Sequence, residues 1–282
     1  MTLEQLAADD GVPPSRGVGT SPAALEVTGL VKRFGATLAL DNLTLRVDPG
    51  EVRALLGENG SGKSTLIKIL SGYHVPDAGT VRVGGSELTT GSPDSSAARG
   101  LRFVHQNLGL VRSLTVAENL CLAGGYAMRF GTIQERRTRA VVREELARLS
   151  LDLDPRRRVD ELSPAEQTGV ATARALRGIT GQGPSGGAAV LVLDEPTANL
   201  PEGEVIRLLD IVRSVAASGT AVIYVTHRLE EVTAIADSVT ILRDGHEVLT
   251  TGGSVNQRSM LHHMLGMELE EADARATPAP RS

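Results

Sequence analysis

The stretch GENGSGKST, residues 57–65, follows the apolar run VRALLG and constrains the fold of this chain more than any other. It satisfies G-x-x-x-x-G-K-[ST], a pattern that sits between a strand and a helix. Glycines here let backbone N–H groups wrap round phosphate oxygens, and the helix starting at Lys63 adds the positive end of its dipole. Gly57, Glu58, Asn59, Gly60, Ser61, Gly62, Lys63, Ser64 and Thr65 therefore read as a phosphate-binding loop. Lys63 would reach the β- and γ-phosphates of a nucleotide, and the Ser64 hydroxyl would complete a Mg²⁺ shell. Composition sharpens this reading. Lys32, Lys63 and Lys68 are the only lysines among 29 Lys and Arg residues. A chain that otherwise uses Arg keeps a compact point charge where a guanidinium fork would crowd the loop.

Three compact apolar runs, VRALLG, AAVLVLD and TAVIYVTH, look like strands buried on both faces. Helical patterns follow each: GKSTLIKILSG, GEVIRLLDIVRSVAASG and LEEVTAIAD. Buried strands alternating with helices predict an α/β fold with a mainly parallel sheet. Before them, LEVTGLVKRFG and LDNLTLRVDPG alternate apolar and polar residues, and TVRVGG adds a short strand, which predicts an N-terminal antiparallel β region. Between about 107 and 178 the patterns TVAENLCLAGG, RRTRAVVREELARLSL and PAEQTGVATARALRG are helical with no strand between them. They predict a helical subdomain, 107–178, inserted into a core made of 24–106 and 179–269. The small, polar and Pro-rich ends, 1–23 and 270–282, read as disordered tails, and TGQGPSGG, 180–187, reads as a surface loop.

The second half of the site is VLVLDEPT. Its strand ends in Asp194, at the sheet edge where open α/β folds bind ligands. Asp194 can hold Mg²⁺, and Glu195 can orient or deprotonate an attacking water. TAVIYVTH ends in His227, whose imidazole could contact a γ-phosphate and register its loss. Other classes recede. The net charge of −5 gives no basic footprint for nucleic acid. The single cysteine, Cys121, excludes an internal disulfide and fits a reducing compartment. The first twenty residues lack the apolar core of a secretory signal, and nowhere do eighteen apolar residues run together, so the expected location is cytoplasmic.

Taken together, these motifs resemble the ATP-binding subunit of an ABC transporter, from about Leu25 to Glu270. VKRFG resembles the aromatic loop before the first motif, which implies that Phe34 stacks on adenine. FVHQNL resembles the segment whose glutamine joins Mg²⁺ and senses the γ-phosphate, which implies that role for Gln106. ELSPAEQTGVATARAL resembles the family signature, and Ser163-Pro164-Ala165-Glu166 is also a capping box with proline at the first helical position. In the family this helix start faces the γ-phosphate held by the opposite subunit, so Ser163, Ala165 and Glu166 join the ATP-binding set. The family has two glycines where this chain has Pro164 and Ala165, and proline removes one N–H donor. Gly169 stands where arginine is common, and Pro201 where aspartate is frequent.

HQNLGLVRSLTVAENLCL, DEPTANLPEGEV, THRLEEV and DSVTILRDGHEV resemble the sugar-importer branch that takes up ribose, xylose or galactosides. Its members usually carry two ATPase halves in one chain; this chain has one phosphate loop and resembles a first half. The resemblance implies ATP hydrolysis with Mg²⁺ at the cytoplasmic face of the cell membrane. It implies docking on permease subunits through the region Gln106–Gly125, and a periplasmic or lipoprotein solute-binding protein as an indirect partner. It also implies a homodimer or heterodimer of ATPase domains, and no nucleic-acid role. A cytosolic ABC ATPase outside transport, or a weakly hydrolysing subunit paired with a second ATPase, are the alternatives. The first would carry a coiled-coil insertion or a basic linker, and the second is opposed by Glu195. A GTPase would need an N-K-x-D motif, which is absent.

Overall fold

The computed structural model describes residues 22–177, 189–198, 200–253 and 257–265. Strands β1 (Leu25–Phe34), β2 (Thr37–Val47), β4 (Ala78–Val83) and β5 (Ser86–Glu87) form an antiparallel sheet in the order β2-β1-β4-β5. A second, six-stranded sheet joins β3 (Val52–Leu56), β6 (Leu101–Val104), β9 (Val190–Asp194), β10 (Ala221–Val225), β11 (Ser238–Arg243) and β12 (His246–Gly252). Its order is β12-β11-β3-β10-β9-β6; every neighbouring pair is parallel except β11 with β12. The fold is therefore α/β with a mostly parallel sheet and an antiparallel N-terminal sheet, as expected.

Period-2 alternation between two apolar layers explains why the central strands β9 and β10 are apolar along nearly their whole length. In β9, Val190 and Val192 pack toward β1, β2 and the face of helix α1 (Lys63–Leu70) that carries Leu66 and Ile69. Leu191 and Leu193 point the other way. They meet helices α3 (Val116–Gly124), α4 (Glu135–Arg148), α5 (Pro164–Leu176) and α6 (Glu202–Ala217). A strand sandwiched so has no solvent face on which to put polar residues. A third cluster packs helices α7 (Leu229–Ile235) and α8 (Gln257–Leu265) on β3 and β11.

The structure departs from the sequence expectations in several places. The inserted segment is not purely helical: β7 (Met128–Arg129) and β8 (Thr132–Ile133) form a small hairpin between α3 and α4. Its side chains also share one continuous apolar cluster with β9, β10 and α6, so the insert is packed onto the sheet rather than around a core of its own. The segment LRFV is too short to signal a strand, yet β6 forms the edge of the parallel sheet beside β9. Helices α2 (Pro93–Ala98) and α8 carry too few apolar repeats to announce themselves. Ala23 falls within the expected tail but is buried, because the Gly84 N–H donates to the Ala24 carbonyl and draws the chain onto the antiparallel sheet. The expected loop at 180–187 and the tails at 1–21 and 270–282 lie outside the described residues.

Among the described residues no helix is long and apolar enough to cross a membrane. Burial also sorts the apolar residues into two kinds. Leu191 is fully buried, whereas Leu122, on α3, is 59% exposed. Leu191→Ala should cost about 2–5 kcal/mol of stability by leaving a cavity, while Leu122→Ala should stay within about 0.5 kcal/mol. Denaturant midpoints of the two variants check this. Equal losses would mean that the sheet face is not packed as described.

Candidate functional site

Because β3, β6, β9 and β10 run parallel, their C-terminal ends share one edge, and that edge gathers the chemistry. β3 leads into Gly57, β9 ends at Asp194 beside Glu195, β10 is followed by Thr226 and His227, and β6 by His105 and Gln106. Residues far apart in sequence thus meet through strand register: Val104 pairs with Leu193, and Asp194 with Val225.

The loop from Gly57 to Gly62 needs its glycines for two physical reasons. Gly57 has φ 152°, and a Cβ there would stand 2.4 Å from the Leu242 carbonyl oxygen. Gly62 has φ 109°, and a Cβ would stand 2.7 Å from the Ala39 carbonyl oxygen. The loop is thereby pressed against β2 and against the β11–β12 turn, where the Gly245 N–H donates to the Ser61 carbonyl at 3.1 Å. Helix α1 then begins at Lys63 with no capping side chain and no acidic residue in its first turn, which leaves its positive end uncompensated.

Lys63 is the most telling group. Its side chain is 7% exposed, and its Nζ donates to the Gly57 carbonyl at 2.6 Å and the Glu58 carbonyl at 2.8 Å. No carboxylate of the described residues pairs with it. Burial lowers the Lys63 pKa below the ordinary lysine value, and the more distant charges of Glu195, Asp194 and Glu58 oppose that shift. A buried ammonium held only by neutral oxygens, beside an uncapped helix start, is a cradle that an anion completes. The residues present fit a nucleoside triphosphate.

The opposing charge lies on the same edge. Burial raises the Asp194 pKa, the adjacent Glu195 charge adds to the rise, and His105 and Lys63 oppose it. A carboxylate crowded against another carboxylate is one that a divalent cation would stabilise. Ser64, Gln106 and Asp194 are the side chains that could hold one. Gln106 is exposed in the turn after β6, and its neighbour His105, which no sequence motif singles out, places Nδ1 3.8 Å from Asp194 Oδ2. Glu195 has φ 47°, a sparsely populated conformation for a non-glycine residue, and its N–H donates to the Val225 carbonyl at 3.0 Å. That backbone turn brings its carboxylate Oε1 within 3.3 Å of His227 Nδ1. His227 is flanked by a buried clamp: Glu231 accepts from the Tyr224 and Thr226 hydroxyls and pairs with Arg228.

Phe34 closes β1 and is 45% exposed, its ring edge-on to His74 at 5.3 Å and beneath the Lys32 ammonium at 5.4 Å. His74 follows the C-terminal end of α1, where its N–H donates to the Lys68 carbonyl at 3.0 Å. Ser163, Ala165 and Glu166 do not join this group. They form the start of α5, where Glu166 and Ser163 make a reciprocal capping box, and Ser163 and Ala165 donate to Glu204 of α6. Nothing local in the sequence marks Glu204 as a site residue. Gly169 is a packing position: a Cβ would stand 2.7 Å from Leu151 Cδ2 and 3.1 Å from Ile211 Cδ1. Helix α5 nevertheless touches this edge, because Arg174 donates to the Leu108 and Gly109 carbonyls, both at 2.7 Å, just beyond Gln106.

Comparison with known proteins points to one family. The ribose import ATP-binding protein RbsA 1 of Rubrobacter xylanophilus is 41% identical over 256 residues, covering 91% of this chain and 50% of that protein. The ribose import ATP-binding protein RbsA of Bacillus subtilis is 35% identical over 256 residues, covering 90% of this chain and 50% of that protein. The chain spans about half the length of these curated relatives. Among solved structures, the ADP conformation of MJ1267, an ATP-binding cassette of an ABC transporter, superposes with TM-score 0.69 at 25% identity, covering 86% of this chain and 94% of that one. A nucleotide-free ATP-binding cassette from an ABC transporter shows the same fold, with TM-score 0.69 at 24% identity, covering 91% of this chain and 100% of that one. The family model described as "ABC transporter" matches residues 40–198, a span that runs from β2 through the phosphate loop and α5 to Glu195, and the chain belongs to the ABC transporter family.

Proposed function

We propose that this chain is the ATP-hydrolysing subunit of an importer, coupling Mg-ATP binding and hydrolysis to uptake of a sugar through partner permeases at the cytoplasmic face of the membrane. The observation that carries the reading is Lys63, a buried ammonium facing only neutral oxygens on the edge that also holds Asp194, Glu195 and His227. The phosphates of ATP would take over from the Gly57 and Glu58 carbonyls as partners of Lys63, joined by the N–H groups of the loop and of α1. Phe34, with His74 behind it, offers the adenine a ring to stack on. Ser64, Gln106 and Asp194 would hold Mg²⁺, which supplies positive charge to the phosphate oxygens.

Glu195 then acts on water. Its carboxylate accepts a proton from the water that attacks the γ-phosphorus, and the bond from that phosphorus to the β–γ bridging oxygen breaks. His227 holds Glu195 by its Nδ1 and stands where release of the γ-phosphate can be sensed. The start of α5, with Ser163, Ala165 and Glu166, serves as the second face of an ATP site on a neighbouring ATPase domain, whether a second copy or a different chain. A sugar as the transported solute is supported by the relatives named for ribose import, and a solute-binding protein would act one step further away.

The expected docking region, Gln106–Gly125, is extended in this reading to the hairpin that follows it. Leu122, Tyr126, Met128, Phe130 and Ile133 are all exposed large apolar side chains, and Phe130 is 92% exposed at the tip of the β7–β8 hairpin. A patch so concentrated is characteristic of a binding surface. Arg174 links it inward, since it grips the turn between Gln106 and α3.

Glu195→Gln keeps shape and hydrogen bonding but loses the base. It should bind Mg-ATP as the parent does and hydrolyse it about 10²–10⁴-fold more slowly. A variant turning over at the parent's rate in a phosphate-release assay would remove Glu195 from this role. For the docking surface, Phe130→Asp should leave the denaturant midpoint within about 0.5 kcal/mol of the parent yet abolish co-purification with the co-encoded permease. Undiminished co-purification would place the permease elsewhere.

A further inference from the structure

The start of α5 is not open to an incoming anion. Helix starts leave N–H donors unpaired, and here each donor at the start has a partner or is missing. Pro164 has no N–H. The Glu166 N–H donates to Ser163 Oγ at 3.3 Å, and the Ser163 N–H donates to Glu166 Oε2 at 2.8 Å. The donors that remain are the Ser163 hydroxyl and the Ala165 N–H. Both donate to the same atom, Glu204 Oε2, at 2.6 and 3.1 Å. The Glu204 carboxylate, 19% exposed, comes from the first turn of α6, and its other oxygen lies 3.5 Å from the Arg207 guanidinium, which is itself 67% exposed.

We propose that Glu204 is an internal anion that occupies the start of α5 and competes with the γ-phosphate of a neighbouring subunit's ATP. This rests on the reading of Ser163 and Ala165 as the second face of a composite ATP site. Two anions cannot share those two donors: each hydrogen is committed to one acceptor, and like charges at contact repel. Closure of the composite site therefore requires the Glu204 carboxylate to turn away, and Arg207, already beside it, receives it. Glu204 sets how much ATP is needed to bring two ATPase domains together. Proline at 164 strengthens the effect, because no spare donor remains to hold both groups.

The test uses the full chain carrying Glu195→Gln, so that ATP is bound and not consumed, with association followed by sedimentation across a Mg-ATP titration, alone and with the co-encoded ATPase. Adding Glu204→Ala should lower the ATP concentration for half-maximal association about tenfold, with Glu204→Gln intermediate, while thermal stability stays level or falls. Arg207→Ala, at an exposed position, should shift association the opposite way. If Glu204→Ala needs as much ATP as its parent or more, Glu204 is only a helix cap and the inference is wrong. If the Glu195→Gln parent and the Glu204 variants all bind ATP by calorimetry yet never associate, the composite-site reading itself fails and this inference falls with it.

Discussion

A single buried charge organises the C-terminal edge of the parallel sheet. Lys63 places an ammonium where water is largely excluded, and a buried cation is tolerated only when its hydrogens are satisfied. Everything around it serves that end. The Gly57 and Glu58 carbonyls accept from it, Gly57 and Gly62 take up positive-φ conformations, and β2 and the β11–β12 turn press on the loop from outside. The carbonyls satisfy the hydrogens but leave the net charge uncancelled. The arrangement is thus complete as a fold and incomplete as an electrostatic unit, so an anion gains by replacing the two neutral carbonyls as partner of the ammonium.

The other functional groups owe their meeting to strand register rather than to local sequence. Five parallel strands in the order β11-β3-β10-β9-β6 put the phosphate loop, His227, Asp194, Glu195 and Gln106 on one edge. Helix α5 then connects that edge to the exterior. Its N-terminal end carries Ser163 and Ala165, and its C-terminal half carries Arg174, which holds the carbonyls of Leu108 and Gly109 next to Gln106. Gly169, at its middle, lets it lie close to Leu151 and Ile211. A helix held at both ends thus ties the start at Ser163 to the turn that carries Gln106.

How far the sequence discloses this depends on the range of each interaction. The phosphate loop is legible because its strand, glycines, lysine and helix lie in one unbroken stretch, Val52–Leu70, and the capping boxes at Thr115–Glu118 and Ser163–Glu166 are legible because each spans four residues. The doubly buried strands show as apolar runs without alternation. The β7–β8 hairpin is hidden because its turn is Phe130-Gly131, with φ 50° and 77°. Both values are positive, as in a type I′ turn, but the first belongs to a phenylalanine where asparagine or aspartate would have signalled a hairpin. His105 is adjacent to Gln106, yet its approach to Asp194 depends on β6 being a strand. Glu204 is separated from Ser163 by 41 residues, so no local pattern links them.

The central claim is that Lys63 holds phosphate, and calorimetric titration of Mg-ATP into the parent chain and into Lys63→Ala tests it most directly. The account predicts saturable binding to the parent and an affinity weakened at least about tenfold in the variant, since a charge-assisted contact to phosphate is lost. Equal affinity in a folded variant would contradict it.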